Sequence, residues 1–461
     1  MNILVIGCAR SGIGAAKLAI KAGHRVNIYD DKDFNDFNED VKLMLENLKN
    51  LGANLVLGKN NPYIQDIDQI IISPGVPLDI PIVEYYRKDK VKIIGEFEYA
   101  ASFCKAPIIG ITGTNGKTTT TTLLGQIFQE YNSKTCIVGN IGLAFSEEVE
   151  NTSDDSIVIA ELSSFQLETI DKLTCQISAI LNISPDHLNR HDTMENYMVA
   201  KYRIFENGDS TAKVILNKDD DELNKLIGKT GKTELLFSLK DPIDNGAYLK
   251  DGYLVDNTLG DKFNICHIDE LNILGEHNYQ NTLATILIAR AYGVSREIIR
   301  KVLLEFKGVE HRIEYVNTVS GIKFYNDSKA TNIGAAIPGL MAMRSKIRLI
   351  GGGLDKHVEF DEWIELFDGR VAKIYIIGET TKQIIETCKR HNFDKYEAFD
   401  TFEQAIKTAY KEAEEGECVL LSPACASWDM FPSYEVRGDI FKKMALSLEE
   451  TQTDEYLSDK S

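Results

Sequence analysis

Gly113-Thr114-Asn115-Gly116-Lys117-Thr118 combines glycines, a lysine and a hydroxyl in one short stretch. An apolar run from Ile108 to Thr112 precedes it and reads as a strand; Thr118 to Gln129 follows and reads as a helix. Glycines let backbone N–H groups approach phosphate oxygens, and the N-terminus of a following helix adds a favourable dipole. Lys117 can reach the outer phosphates, and the Thr118 hydroxyl can ligate Mg²⁺. The spacing departs from the GxxxxGK[ST] loop: one residue too many from Gly110, two too few from Gly113. With a strand before and a helix after, a nucleoside triphosphate is the expected ligand rather than a chance glycine turn.

Other residues have chemical potential and an ordinary alternative. Glu161 ends the apolar run Val158 to Ala160 and reads as a metal ligand or a helix cap. His187 and His191 stand four apart, but no third ligand or HExxH pattern supports zinc. Lys201 lies in a helical pattern, Met194 to Phe205, where an exposed lysine is the default. Asn281 begins a helical pattern and could cap it. Arg312 could form an inter-domain ion pair. Asp327 and Lys329 lie in a strand-to-loop stretch, DSKATN, dense in polar groups. Lys356 follows the glycines of GGGLDK at a strand end, a natural anion site. Ser427, Trp428 and Tyr434 fit a buried strand–loop–helix junction. Near the start, Gly7-Cys8-Ala9-Arg10-Ser11-Gly12 is a dinucleotide fingerprint with Ala9 in place of the middle glycine. Asp30 then stands where an acid would hold a ribose hydroxyl. This motif keeps open an alternative function, an NAD-dependent oxidoreductase.

The elements that must position these residues are strands alternating with helices. Asn2 to Ile6, Arg25 to Tyr29 and Ile70 to Ile72 are apolar runs ending in turn residues, as are Arg348 to Ile350, Lys373 to Ile377 and Cys418 to Leu421. Such alternation predicts an α/β protein with mostly parallel sheets, and ligands at the C-terminal ends of the strands. At roughly 150 residues per domain, 461 residues make about three domains. The expected boundaries are 1–92, 93–308 and 309–461, the third beginning after a long helical pattern from Asn278 to Phe306. The tail from Glu449 is polar and acidic and is expected to fray. With 51 Lys and Arg against 70 Asp and Glu, the net charge is −19. So acidic a chain is not a general binder of nucleic acid or anionic membranes. No apolar run reaches the roughly 18 residues needed to span a bilayer, and Arg10 and Lys17 interrupt the only stretch resembling a secretory signal. The eight cysteines include no CxxC pair, as expected of reduced thiols in a cytoplasmic protein.

The phosphate loop does not stand alone. GTNGKTT is followed by ELSSFQLE (161–168), SPDHLNRH (184–191), AKYRIF (200–205), GEHNYQN (275–281), HRIE (311–314), NDSKATN (326–332), GGGLDK (351–356) and SPACASWDMF (422–431). In this order the strings resemble the Mur ligases, ATP-dependent amino-acid ligases of peptidoglycan synthesis, and the likeness spans all three segments. LSSFQLE and SPACASWD resemble the branch that adds D-glutamate to UDP-N-acetylmuramoyl-L-alanine.

The resemblance implies a Rossmann-like N-terminal domain, a central P-loop ATPase-like domain and a Rossmann-like C-terminal domain. It implies ATP, two Mg²⁺ ions and CO₂ as a lysine carbamate, and a monomer. Gly113, Thr114, Asn115, Gly116, Lys117, Thr118 and Thr119, with Asn281 and Arg312, would bind ATP. Thr118, Glu161, His187 and a carbamylated Lys201 would hold the metals. Lys117, Glu161, His187, Lys201 and Asp327 would be catalytic. Arg10, Ser11, Asp30, Lys32, Ser73, Pro74, Gly75 and Asn140 would take the UDP substrate. Lys329, Thr331, Lys356, Ser427 and Tyr434 would take D-glutamate. A nucleotide-regulated binding protein, the third possibility, would not need Glu161, His187 and Lys201 together.

Overall fold

A computed structural model describes residues 1–58, 63–356 and 358–458, without the side chains of Leu259 and 449–458. Its strands form three sheets. The first contains β1 (Asn2–Ile6), β2 (Arg25–Asp30), β3 (Asn54–Leu57), β4 (Gln69–Ile72) and β5 (Lys92–Gly95), in the order β3-β2-β1-β4-β5, all parallel. β5 pairs with β4 as far as Gly95, so this sheet runs past residue 92.

The second sheet contains β6 (Ile108–Thr112), β7 (Thr135–Gly139), β8 (Ile157–Glu161), β9 (Ile177–Ile180), β10 (Lys213–Asn217), β11 (Thr233–Ser238), β12 (Gly246–Lys250), β13 (Tyr253–Asp256) and β14 (Phe263–His267). Its order is β14-β13-β12-β11-β10-β9-β6-β8-β7. β6 lies between β9 and β8, and every residue of β6 and β8 is buried, the continuous apolar signature of a strand covered on both faces. The β12–β13–β14 end is antiparallel.

The third sheet contains β15 (Glu314–Val319), β16 (Ile322–Asn326), β17 (Ile347–Gly352), β18 (Val371–Ile377), β19 (Tyr396–Ala398) and β20 (Cys418–Leu421). Its order is β15-β16-β20-β17-β18-β19, with only the β15 edge antiparallel.

The α/β class with three lobes agrees with the sequence reading. The chain forms two compact units: Met1–His267 with Gln280–Val302, and Ile268–Tyr279 with Leu303–Ser461. The first unit holds the first two sheets, and one apolar core runs through both, from Ile3 and Val5 to Val214 and Leu216. Phe97 and Phe145, both buried, meet within this core at 4.9 Å.

The pattern read as one helix from Asn278 to Phe306 is two, Glu276–Tyr292 and Arg296–Glu305. Gly293, in the left-handed region at φ 111°, makes the break. The final helix runs Tyr434–Ser458, through the tail expected to fray. No helix among the described residues is long and apolar enough to cross a membrane.

Candidate functional site

In the first unit, the loop after β6 carries the phosphate motif into the helix Lys117–Tyr131. Gly116 caps that helix in the left-handed region, at φ 82°. A Cβ there would run into the Asn281 carboxamide, so only glycine fits. The loop after β9 clamps the motif. The Thr114 N–H donates to Asn182 O at 3.0 Å. Thr114 Oγ1 donates to Ser184 O at 3.1 Å and accepts from the Ser184 N–H at 3.0 Å. The Asn115 N–H donates to Asn182 Oδ1 at 2.8 Å. Lys117 Nζ donates to Gly113 O at 2.7 Å and Thr114 O at 2.8 Å. Thr118 is half-buried and Thr119 buried. Asn281 is the sixth residue of its helix and buried, so it is not the cap expected of it; Gly275, at φ 96°, precedes that helix instead.

Glu161 ends β8, whose neighbour in the sheet is β6. The residue is 1% exposed. Its Oε1 accepts from Asn140 Nδ2 at 3.0 Å, and its Oε2 has no hydrogen-bond partner among the described residues. A buried carboxylate oxygen left unpaired is costly unless a cation meets it. Lys201 is not the exposed helical lysine of the default reading: it is 1% exposed. Its Nζ donates to Gly113 O at 2.9 Å and lies 4.6 Å from the Tyr197 ring centroid. Burial, with the neighbouring Lys117 charge, lowers its pKa to about 7. His187 opens a short helix, Leu188–His191, in the left-handed region, with its side chain half-exposed.

The loops after β1 and β4 flank the point where strand order reverses in the first sheet. Gly12 lets the helix Arg10–Lys21 approach the Gly7 carbonyl. Ser73 Oγ donates to Gly7 O at 3.4 Å. Asp30 accepts from the Cys8 N–H at 2.8 Å and the Lys32 N–H at 3.1 Å. Pro74 is half-buried and Gly75 exposed in the turn beyond, and Ser11 lies in the first turn of the helix. Arg10 reaches the second lobe, pairing with Glu147 at 2.9 Å and donating to Gly142 O at 3.0 Å. A cavity of about 750 Å³, lined by Lys92, Tyr99, Ile108 and Ala212 among others, lies at the N-terminal ends of the strands and touches none of these groups.

In the second unit, Asp327 follows β16 and is buried. It accepts from Ser422 Oγ at 2.8 Å and the Ile313 N–H at 3.2 Å. Burial nevertheless raises its pKa to about 7. Arg312 lies between two non-glycine residues with positive φ, His311 at 62° and Ile313 at 46°. A β-branched residue there is strained, and such strain concentrates at functional sites. The Lys329 ammonium lies 5.9 Å from the Tyr434 ring centroid. The Thr331 N–H donates to Lys329 O at 2.8 Å. Lys356 is exposed, with its ammonium 5.4 Å from the Trp428 ring. Ser427 is buried, while Trp428 is 68% exposed and so not part of a buried junction.

Two family models match this chain: the Mur ligase middle domain over residues 111–289, and the Mur ligase glutamate ligase domain over residues 311–425. The chain belongs to the Mur ligase family. It is 44% identical over 450 residues to a UDP-N-acetylmuramoylalanine–D-glutamate ligase of Thermoanaerobacter sp. (strain X514), covering 97% of this chain and 98% of the relative. A ligase of the same name from Alkaliphilus oremlandii is 43% identical over 452 residues, with the same coverage. Among solved structures, the Mur ligase fold recurs in the UDP-N-acetylmuramate–alanine ligase of Thermotoga maritima (TM-score 0.56, 18% identity, 97% of this chain and 99% of that one). It recurs also in MurF of Acinetobacter baumannii (TM-score 0.58, 16% identity, 92% and 90%). Nothing supports the oxidoreductase alternative: the fingerprint glycines serve close packing, and Asp30 holds its own turn.

Two buried residues that tie these loops together escaped the motif reading. Arg437 is fully buried; it donates to Ser328 Oγ at 2.9 Å, Ser328 O at 2.8 Å and Cys425 O at 3.2 Å. It thus ties the DSKATN loop to the SPACASWD loop. The signal was its position: Arg437, Phe441 and Ala445 share the buried stripe of one helix, so a charge sits where the period calls for an apolar residue. Tyr197 was missed as well, though its hydroxyl meets Thr114 Oγ1 at 3.1 Å.

Proposed function

We infer that this Mur ligase joins D-glutamate to the carboxylate of UDP-N-acetylmuramoyl-L-alanine, with ATP going to ADP and phosphate. A carboxylate is a poor electrophile. Phosphorylation by ATP converts it to an acyl phosphate; the amine then attacks the carbonyl carbon and phosphate leaves. The substrate carboxylate and the γ-phosphate repel each other, so the first step needs positive charge fixed between them. One observation carries this reading: the partnerless buried oxygen of Glu161, on the strand beside the phosphate loop, with the Lys117 and Lys201 amines on the Gly113 carbonyl at that loop.

Thr118 and Glu161 would hold one Mg²⁺, and His187 with a carbamylated Lys201 a second. Mg²⁺ supplies charge neutralisation and orientation of the phosphates when bound. The Lys201 environment suits carbamylation. A pKa of about 7 leaves a large share of neutral amine near neutral pH. That amine would add to CO₂ with loss of a proton, and the resulting carbamate would offer the oxygen donor that Mg²⁺ prefers. Lys117 turns from its own loop carbonyls to the outer phosphates. Gly113, Thr114, Asn115, Gly116 and Thr119 would cradle the phosphates, and Asn281 and Arg312 would complete the ATP-binding set. Asp327 serves the incoming amine, while Lys329, Thr331, Lys356, Ser427 and Tyr434 hold D-glutamate. Arg10, Ser11, Asp30, Lys32, Ser73, Pro74, Gly75 and Asn140 hold the UDP substrate.

We assign these tasks to domains 1–92, 93–308 and 309–461 of a cytoplasmic monomer. Phosphate release supplies the test. Release that requires both UDP-N-acetylmuramoyl-L-alanine and D-glutamate is expected. Lys201→Ala should be nearly silent in the same assay and partly recovered by acetate. Release without D-glutamate dependence, or full activity in the alanine variant, would overturn the substrate or the lysine assignment respectively.

A further inference from the structure

His191 has no task in the reading above, yet it is 5% exposed with both ring nitrogens engaged. Its Nδ1 lies 3.1 Å from Glu168 Oε1 and its Nε2 2.9 Å from Ser164 Oγ. An ionised carboxylate only accepts, so the first contact calls for Nδ1–H. In the neutral ring Nε2 then accepts from the serine hydroxyl. Serine, histidine and glutamate in this order also make nucleophilic triads. Here Ser164 is 2% exposed in the first turn of a helix, so no substrate reaches it. Nor does His191 have a nitrogen left for a metal.

The task of the ring is geometric. It stacks on Phe165, with centroids 5.6 Å apart and planes 17° apart. Phe165 in turn meets the His187 ring at 4.9 Å and the Arg190 guanidinium at 5.1 Å. His191 also packs on Tyr197 at 5.2 Å, and Tyr197 has the Lys201 ammonium at its face. The main chain repeats the link. The His191 N–H donates to His187 O at 3.1 Å, and His191 O accepts from Asn196 Nδ2 at 2.9 Å, in the helix that carries Lys201.

We propose that His191 is a positioning residue that fixes His187 and Lys201 relative to each other through Phe165 and Tyr197, and thereby sets the affinity of the site for its second divalent cation. The proposal rests on the metal assignment made above.

The probe is Mn²⁺, titrated into full-length protein in bicarbonate buffer, with the free ion followed by electron paramagnetic resonance. His191→Ala should weaken one class of Mn²⁺ site by about 10- to 100-fold, the range for loss of a residue that orients metal ligands. His191→Phe keeps a ring against Phe165 and Tyr197 and should stay within about threefold of wild type. Phosphate release by His191→Ala should recover as Mg²⁺ is raised, with KM for D-glutamate unchanged. A merely structural role would lower the melting temperature and leave Mn²⁺ affinity alone. Wild-type Mn²⁺ binding by His191→Ala, or a phenylalanine variant no better than alanine, overturns the proposal. His187→Ala separates the two readings: if it binds Mn²⁺ and turns over like wild type, the metal assignment has failed and this proposal falls with it.

Discussion

Asp327 is held in a place that opposes its charge. Ordinary aspartates titrate near pH 4, whereas burial puts Asp327 at about 7. Between those values the native state holds a proton that the unfolded chain has lost. Stability therefore falls as pH rises through roughly 4 to 7; the contribution is fully present below that window and gone above it. Asp327→Asn removes the charge and keeps much of the shape. It should be more stable than wild type by about 1–4 kcal/mol at pH 8, with the difference closing toward pH 4. Urea midpoints across this range would show it, and equal midpoints at pH 8 would refute the burial argument. The same variant should lose ligase activity. Asp327, Glu161 and Lys201 were all marked by motifs, but motifs say nothing of burial. For Lys201 the missing information lay in the spacing: Tyr197, Ala200, Lys201 and Ile204 form one buried stripe, as Arg437 does with Phe441 and Ala445. A charge on an apolar stripe is a stronger sign of function than a charge on a helix.

At the scale of elements, the strand ends were legible because apolar runs stop at glycine, proline or serine. β6, β8, β17 and β20 fall close to where those runs predicted them. The antiparallel additions, β12 to β14 and the β15 edge, were not. Their sequences are short and mixed, and which strand pairs with which depends on partners far along the chain. The phosphate loop shows how an element depends on such a distant partner. Gly116→Ala would force a side chain into the left-handed region and against Asn281. Strain at such a position costs about 1–3 kcal/mol. We expect a melting temperature lowered accordingly and ATP binding by calorimetry weakened at least tenfold. Unchanged ATP affinity would mean that this glycine only turns the chain.

For the molecule as a whole, the sequence pointed to three domains, and three sheets are present, yet the compact units number two. Composition and length count sheets well, but they cannot show that two sheets share a core. That sharing depends on side chains such as Phe97 and Phe145, which carry no motif. Phe145→Ala should cost about 3–5 kcal/mol, the usual range for a buried aromatic. Both lobes should then lose protection in hydrogen exchange together; loosening confined to one would show that they fold apart. If the shared core makes the two lobes unfold as one body, any molecule that grips either of them withdraws the whole body from unfolding. Supply of the sugar nucleotide or of ATP would thereby set how long each copy escapes proteolysis, so that abundance follows precursor flux with no dedicated regulator.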